Sequence, residues 1–207
     1  MMRPQLLSSA RSLLRGDLGR DQKGATLAEF GLVAPILFMM LFGIFDVAHT
    51  IYTTSVVNGA MQRAARDMTI EGATLREAQA DQRVIDQVRS VVPAGATITL
   101  KKLSYFDFND VGQPEPFTDI NNDGICNNGE PYEDTNRNGQ WDANRGAAGV
   151  GGARDVVLYT VTVTYKRLFP IYNFIGLPQN ASVEGTTVLR NQPFDQQDRS
   201  TQIRNCT

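Results

Sequence analysis

Sixteen consecutive uncharged residues, Phe30 to Phe45, interrupt an otherwise mixed chain of 207 residues. A spanning helix needs ~18 such residues, so the run is slightly short. Extending it back to Ala25 admits Glu29, and extending it forward through Val47 to Tyr52 admits Asp46. A carboxylate at the mouth of a span is expensive, which marks Glu29 as a residue with a task. Past Phe45 the apolar positions continue: Tyr52, Val56, Val57, Ala60, Met61, Ala64 and Ala65 recur at helical spacing and predict one long helix that leaves the bilayer. Pro35 predicts a kink, tolerated where neighbouring groups satisfy the freed carbonyl.

Thr74 with Glu77 reads as a capping box, and Leu75, Ala78, Ile85, Val88 and Val92 repeat at helical spacing until Pro93 ends the pattern. Beyond it the period changes to alternation. The segments Ala96 to Leu103, Asp155 to Tyr165 and Ala181 to Leu189 predict strands, with Ile98 and Leu100, then Val157, Tyr159, Val161 and Val163, on one face. The fold class is α+β: a long N-terminal membrane-spanning helix over 25–72, then a small domain over 73–207. In that domain a second helix packs on a sheet of three or four antiparallel strands, around a core of modest size.

Between the first two strands lies an insertion, 107–152, too long for an ordinary hairpin loop. Acids and amides crowd it, and Gly146 to Gly152 reads as a flexible return. Asp119-Ile120-Asn121-Asn122-Asp123-Gly124, followed after five residues by Glu130, fits the twelve-residue calcium-loop pattern. A hard cation needs converging oxygens: Asp119, Asn121 and Asp123 offer side chains, Ile125 its carbonyl, Asn127 a direct or water-mediated contact and Glu130 both carboxylate oxygens. A poorer copy follows at Asp134, Asn136, Asn138 and Gly139, with the Gln140 carbonyl and Asp142 in the ninth place. Its twelfth residue is Arg145, so a bidentate acid must come from elsewhere, with Glu133 as the candidate. Pro116 before the first loop and Pro131 after its last ligand argue against the flanking helices of an EF-hand. The expected cofactor is structural calcium; the competing reading is a solvated acidic loop rich in turn formers.

Charge sets a direction for the span. Arg3, Arg11, Arg15, Arg20 and Lys23 precede it against Asp17 and Asp21, an excess that keeps the N-terminus in the cytoplasm and sends the domain to the periplasm. A secretory signal peptide also joins a basic flank to an apolar run, but small residues of a cleavage site should then follow, and here helical patterning continues. A retained anchor is therefore the better reading.

The stretch Lys-Gly-Ala-Thr-Leu-Ala-Glu-Phe-Gly-Leu-Val-Ala-Pro-Ile-Leu-Phe from Lys23, then Leu41-Phe42-Gly43-Ile44-Phe45-Asp46 and Gln62-Arg63-Ala64-Ala65-Arg66, resembles the TadE-like family. These are small pilin-like proteins of the tight-adherence pilus assembly system. The resemblance covers about a quarter of the chain, with weaker similarity at Tyr165 to Pro170 and Thr187 to Arg190. It implies cutting by a prepilin peptidase between Gly24 and Ala25, which places Glu29 fifth in the mature chain with Phe30 beside it. It also implies a cleaved leader over 1–24, an inner-membrane anchor and partners among other pilin-like and pilus assembly proteins, with entry into a surface pilus left open. In low dielectric, Glu29 could pair with the amine freed on Ala25 of a neighbouring chain; alternatively it reaches the headgroups by itself.

The first 24 residues hold five of the 20 basic and two of the 22 acidic residues, so their removal changes the net charge from −2 to −5. No basic patch suggests nucleic acid. Cys126 inside the first loop and Cys206 would face an oxidising compartment, where a disulfide between them competes with free thiols or bridges to partners. An enzyme is poorly supported: His49 is the only histidine, at the end of the apolar run, and there is no phosphate loop, nucleophile elbow or zinc constellation. The alternative to a pilus component is a calcium-binding surface or adhesion protein held by an uncleaved anchor.

Overall fold

A computed structural model describes residues 23–68, 73–192 and 197–207. The basic flank Arg3, Arg11, Arg15 and Arg20 and the expected boundary at 72/73 lie outside the described residues. Helix α1, Lys23–Met68, is 46 residues long and runs through Pro35 without a break. Proline leaves the carbonyl four residues earlier, that of Gly31, without its helical donor. In the apolar stretch the side chains point outward: Leu32 is 77% exposed and Ile36 66%, while Ala34 alone between residues 24 and 45 is buried. That is the reverse of a soluble core helix. Among the described residues α1 is the one helix long and apolar enough to cross a membrane, consistent with a single-pass anchor.

The chain divides into two compact units, one ending at Val47 and the other running from Ala48 to Thr207. In the second unit α1 changes character. Val57, Ala60, Met61, Ala64, Ala65 and Met68, spaced three and four apart, bury one face. Helix α2, Ala73–Arg89, contributes Ala80, Val84 and Val88 to the same core. The Thr74 cap lies outside the described side chains. Glu77, its expected partner, pairs with Lys102.

Strand β1, Thr97–Tyr105, opens the sheet and leads into the insertion, which holds a short 3-10 turn, Phe108–Asp110, and two brief strands, β2, Pro131–Asp134, and β3, Ala147–Ala148. Strand β4, Val156–Lys166, a single helical turn α3, Tyr172–Ile175, and β5, Asn180–Arg190, complete the main sheet in the order β3-β1-β4-β5, all antiparallel. All three predicted strands are present within two residues of their expected ends. Alternation decides which face is buried: Val157, Tyr159, Val161, Val163 and Tyr165 of β4 and Ala181, Val183 and Leu189 of β5 meet the helices. Gly185 sits opposite Val161, and a Cβ there would stand 2.8 Å from Met61 Sδ and 3.0 Å from Val57 Cγ1, so its absence lets α1 lie close on the sheet.

A polar knot ties α2 to the sheet. Lys102 Nζ, almost wholly enclosed, pairs with Glu77 and, at 2.6 Å, with Asp81, while Tyr159 Oη donates to Asp81 at 3.1 Å. Burial, then the Asp81 carboxylate, drives the Tyr159 phenol well above its ordinary pKa and keeps it a donor. A second, two-stranded sheet pairs β2 with β6, Gln202–Asn205. This sheet was not foreseen, because four exposed residues in β6 carry no apolar alternation.

Candidate functional site

Gly24 and Ala25 lie in the first turn of α1, and Glu29 and Phe30 about one turn further on, all four residues exposed. A Cβ on Gly24 would meet nothing within 4 Å. His49, further along, serves the fold: its Nε2 donates to the Val91 carbonyl at 3.0 Å and its ring meets Tyr165 edge-on, with centroids 5.4 Å apart.

The insertion is built around two loops, 119–130 and 134–145. In the first, Asp119 Oδ1 accepts from Asp123 N–H and Oδ2 from Gly124 N–H. Asn121 Oδ1 accepts from Asp123 N–H and Asp123 Oδ1 from Ile125 N–H. The second loop repeats these bonds place for place: Asp134 accepts from Asn138 and Gly139, Asn136 from Asn138, and Asn138 from Gln140. Backbone angles repeat as well. The fourth residues, Asn122 and Arg137, both have φ of 60°, and the sixth, Gly124 and Gly139, have 75° and 84°, a left-handed conformation that glycine adopts without strain.

The carboxylates that close the loops come from different directions. Glu130, twelfth in the first loop, takes the N–H groups of Ile120 and Asn121 on Oε1 and that of Asn127 on Oε2. In the second loop Glu115, not Glu133, holds this place: Oε1 accepts from Thr135 and Asn136 and Oε2 from Asp142. The parallel extends to the main chain, where Glu130 N–H donates to the Asn127 carbonyl and Glu115 N–H to that of Asp142. Glu133 is exposed on β2. The missed signal was a repeat offset by fifteen residues: Glu115-Pro-Phe-Thr-Asp119-Ile-Asn-Asn-Asp-Gly124 against Glu130-Pro-Tyr-Glu-Asp134-Thr-Asn-Arg-Asn-Gly139. Each glutamate precedes one loop and closes the other.

Both closing glutamates and Asp134 are almost completely buried. Burial, helped by Asp134, raises the Glu115 pKa against the pull of its amide donors. Asp123 is shifted the other way, held anionic first by the Asn127 amide and then by Ile125 N–H. The loops are not equal, because Arg204 of β6 places Nε 2.7 Å from Asp134 Oδ2 and so already supplies a cation there. Asn127 and Asn121 donate to Asp123 Oδ2, and Asn136 and Asn138 to Asp142 Oδ2. Among the described residues no group of three or more His, Cys, Asp or Glu side chains is gathered as it would be around a metal ion. Cys126 and Cys206 are joined as a disulfide with Cα atoms 5.5 Å apart, and the backbones of Gly129, Glu130 and Cys206 are hydrogen-bonded beside it.

An exposed apolar helix that continues into the core of an α+β unit is the layout of a helix-led domain and is consistent with a single-pass anchor. Residues 24–66 form a TadE-like family domain, the TadE-like protein family matching over that stretch. Such proteins are generally non-enzymatic and pilin-like, and their partners are those of pilus assembly. No curated protein and no solved structure matches the chain.

Proposed function

We propose that the chain is a pilin-like component, a pseudopilin or minor pilin, of a tight-adherence type IV pilus assembly system. It is cut after Gly24 by a prepilin peptidase and anchored in the inner membrane, with residues from about 48 onward in the periplasm. The observation that carries this is the TadE-like match over 24–66, which begins at the expected cleavage glycine and takes in Glu29 and the exposed apolar face of α1. Mass spectrometry of protein from cells should find Ala25 as the N-terminus, and Gly24→Asp should leave the leader attached. Because a side chain at Gly24 meets nothing, that variant tests processing and not folding. An intact leader on the wild-type chain would return the reading to a surface or adhesion protein on an uncleaved anchor.

Calcium is the cofactor we propose for the insertion. Asp119, Asn121, Asp123, the Ile125 carbonyl, Asn127 and Glu130 supply the first set, and Asp134, Asn136, Asn138, the Gln140 carbonyl, Asp142 and Glu115 the second. What supports this is the duplicated turn geometry and a buried carboxylate at the head of each loop. Binding would exchange the asparagine donors on Asp123 and Asp142 for the ion. Since Arg204 already neutralises Asp134, the second site is the weaker. Limited proteolysis in calcium and in chelator is the test. Protection of 107–152 by calcium supports the proposal, and identical cleavage patterns overturn it.

A further inference from the structure

The connection between β4 and β5 is unlike the rest of the domain surface. From Lys166 to Asn180 it contains two cations, Lys166 and Arg167, and no acid, while Phe174 is 72% exposed and Ile175 55%. Its neck is closed by Arg167 N–H and Nε, which donate to the Gln179 and Pro178 carbonyls at 3.1 Å each. Ile171 is buried beneath it, so the exposed apolar side chains project from a held loop.

Its place in the unit names what covers it. Tyr165, just before the loop, donates to Thr50 Oγ1 at 3.4 Å and packs on His49, and these are among the first residues of the unit after the apolar run. The two-loop insertion leaves β1 at Tyr105, which is paired with Val156 at the opposite end of β4, about 33 Å away along an eleven-residue strand. The loop is therefore beside His49 and Thr50, where the chain enters this unit, and the insertion is at the far end. Apolar and aromatic side chains beside cations, without acids, are the chemistry of a lipid headgroup boundary.

We propose that residues 167–179 dip into the surface of the bilayer that α1 crosses, with Phe174, Ile175 and Leu177 among the acyl chains and Lys166 and Arg167 at the phosphates. This rests on α1 spanning that bilayer. The test uses the full chain in phosphatidylethanolamine–phosphatidylglycerol vesicles whose acyl chains carry bromine, read as tryptophan emission in excess of that of Trp141. Phe174→Trp and Leu177→Trp should each lose about half of the added emission, as rings about 5–10 Å below the boundary would. Ile203→Trp, on β6 in the far sheet, should lose little. Leu37→Trp in the apolar run reports the span independently. Quenching at Leu37→Trp without quenching at either loop probe overturns the loop proposal and leaves the anchor standing; quenching at none overturns both. Loop probes shielded from aqueous iodide only at high protein-to-lipid ratio would mean that another chain covers this face, which also overturns it.

Discussion

Glu115 shows how much one side chain can hide from a linear reading. Its oxygens close a loop whose first residue lies nineteen positions downstream, so a search for an acid twelve places into that loop meets Arg145 and stops. Once folded, Glu115 takes its proton at higher pH than an unfolded glutamate, because burial outweighs its amide donors. A raised carboxyl pKa imposes a penalty present above the folded pKa, which is relieved as pH falls through it toward the ordinary value of about 4.3. Asp123 and Asp198 run oppositely: their lowered pKa values give stability that is lost only below about 3.9. In chelator, acidification from neutral pH to about 4.3 should therefore favour the wild type over Glu115→Gln, in thermal melts of both. At neutral pH Glu115→Gln should also abolish the weaker calcium event in titration calorimetry, while Glu133→Gln leaves it intact. At Gly185 the arithmetic is steric. Gly185→Val drives methyl groups into Met61 and Val57 and should cost about 1–3 kcal/mol in a denaturation series, with Gly185→Ala milder because the Met61 thioether can rotate away.

Elements were legible where a period declared them. The alternation in β4 and β5 announced both strands, because one face meets helices and the other meets water, and the three-and-four spacing of Val57 to Ala65 announced the buried half of α1. Strand β6 was not legible, because its order comes from β2 and from Cys206 and not from its own side chains. The same dependence makes a prediction. The disulfide spans 80 residues, and Cys206→Ser should destabilise the insertion by about 2–4 kcal/mol and open 197–207 to proteolysis. Helix α2 is held by its core face, Ala80, Val84 and Val88, and also by charge. Lys102→Met would leave Glu77 and Asp81 close together without their cation, and since both are partly exposed the loss should be about 1–3 kcal/mol, visible as a lowered melting temperature.

At the scale of the molecule, the sequence announced an anchor and a domain, and the TadE-like stretch crosses the division between the two units at Val47 and Ala48. Under the proposed function Glu29 has a role only after the leader has gone, when a neighbouring Ala25 amine can meet it. Glu29→Ala should leave membrane insertion and domain stability unchanged while reducing crosslinks to pilus partners and the number of pili; unchanged crosslinks and piliation would end the pairing hypothesis.

The clasp between Cys126 and Cys206 imposes an order of events on biogenesis. Under the proposed topology, residue 126 leaves the translocation channel well before residue 206; until the later segment arrives β2, bridged to Phe117 on one edge, lacks β6 on the other, and Cys126 has no thiol to join. During that interval the half-made insertion exposes an unsealed strand edge and a reactive sulfur to every thiol oxidoreductase and protease outside the channel. Its maturation is thus timed by the passage of the chain, and slowed translocation should leave this segment as the first point of degradation or mispairing.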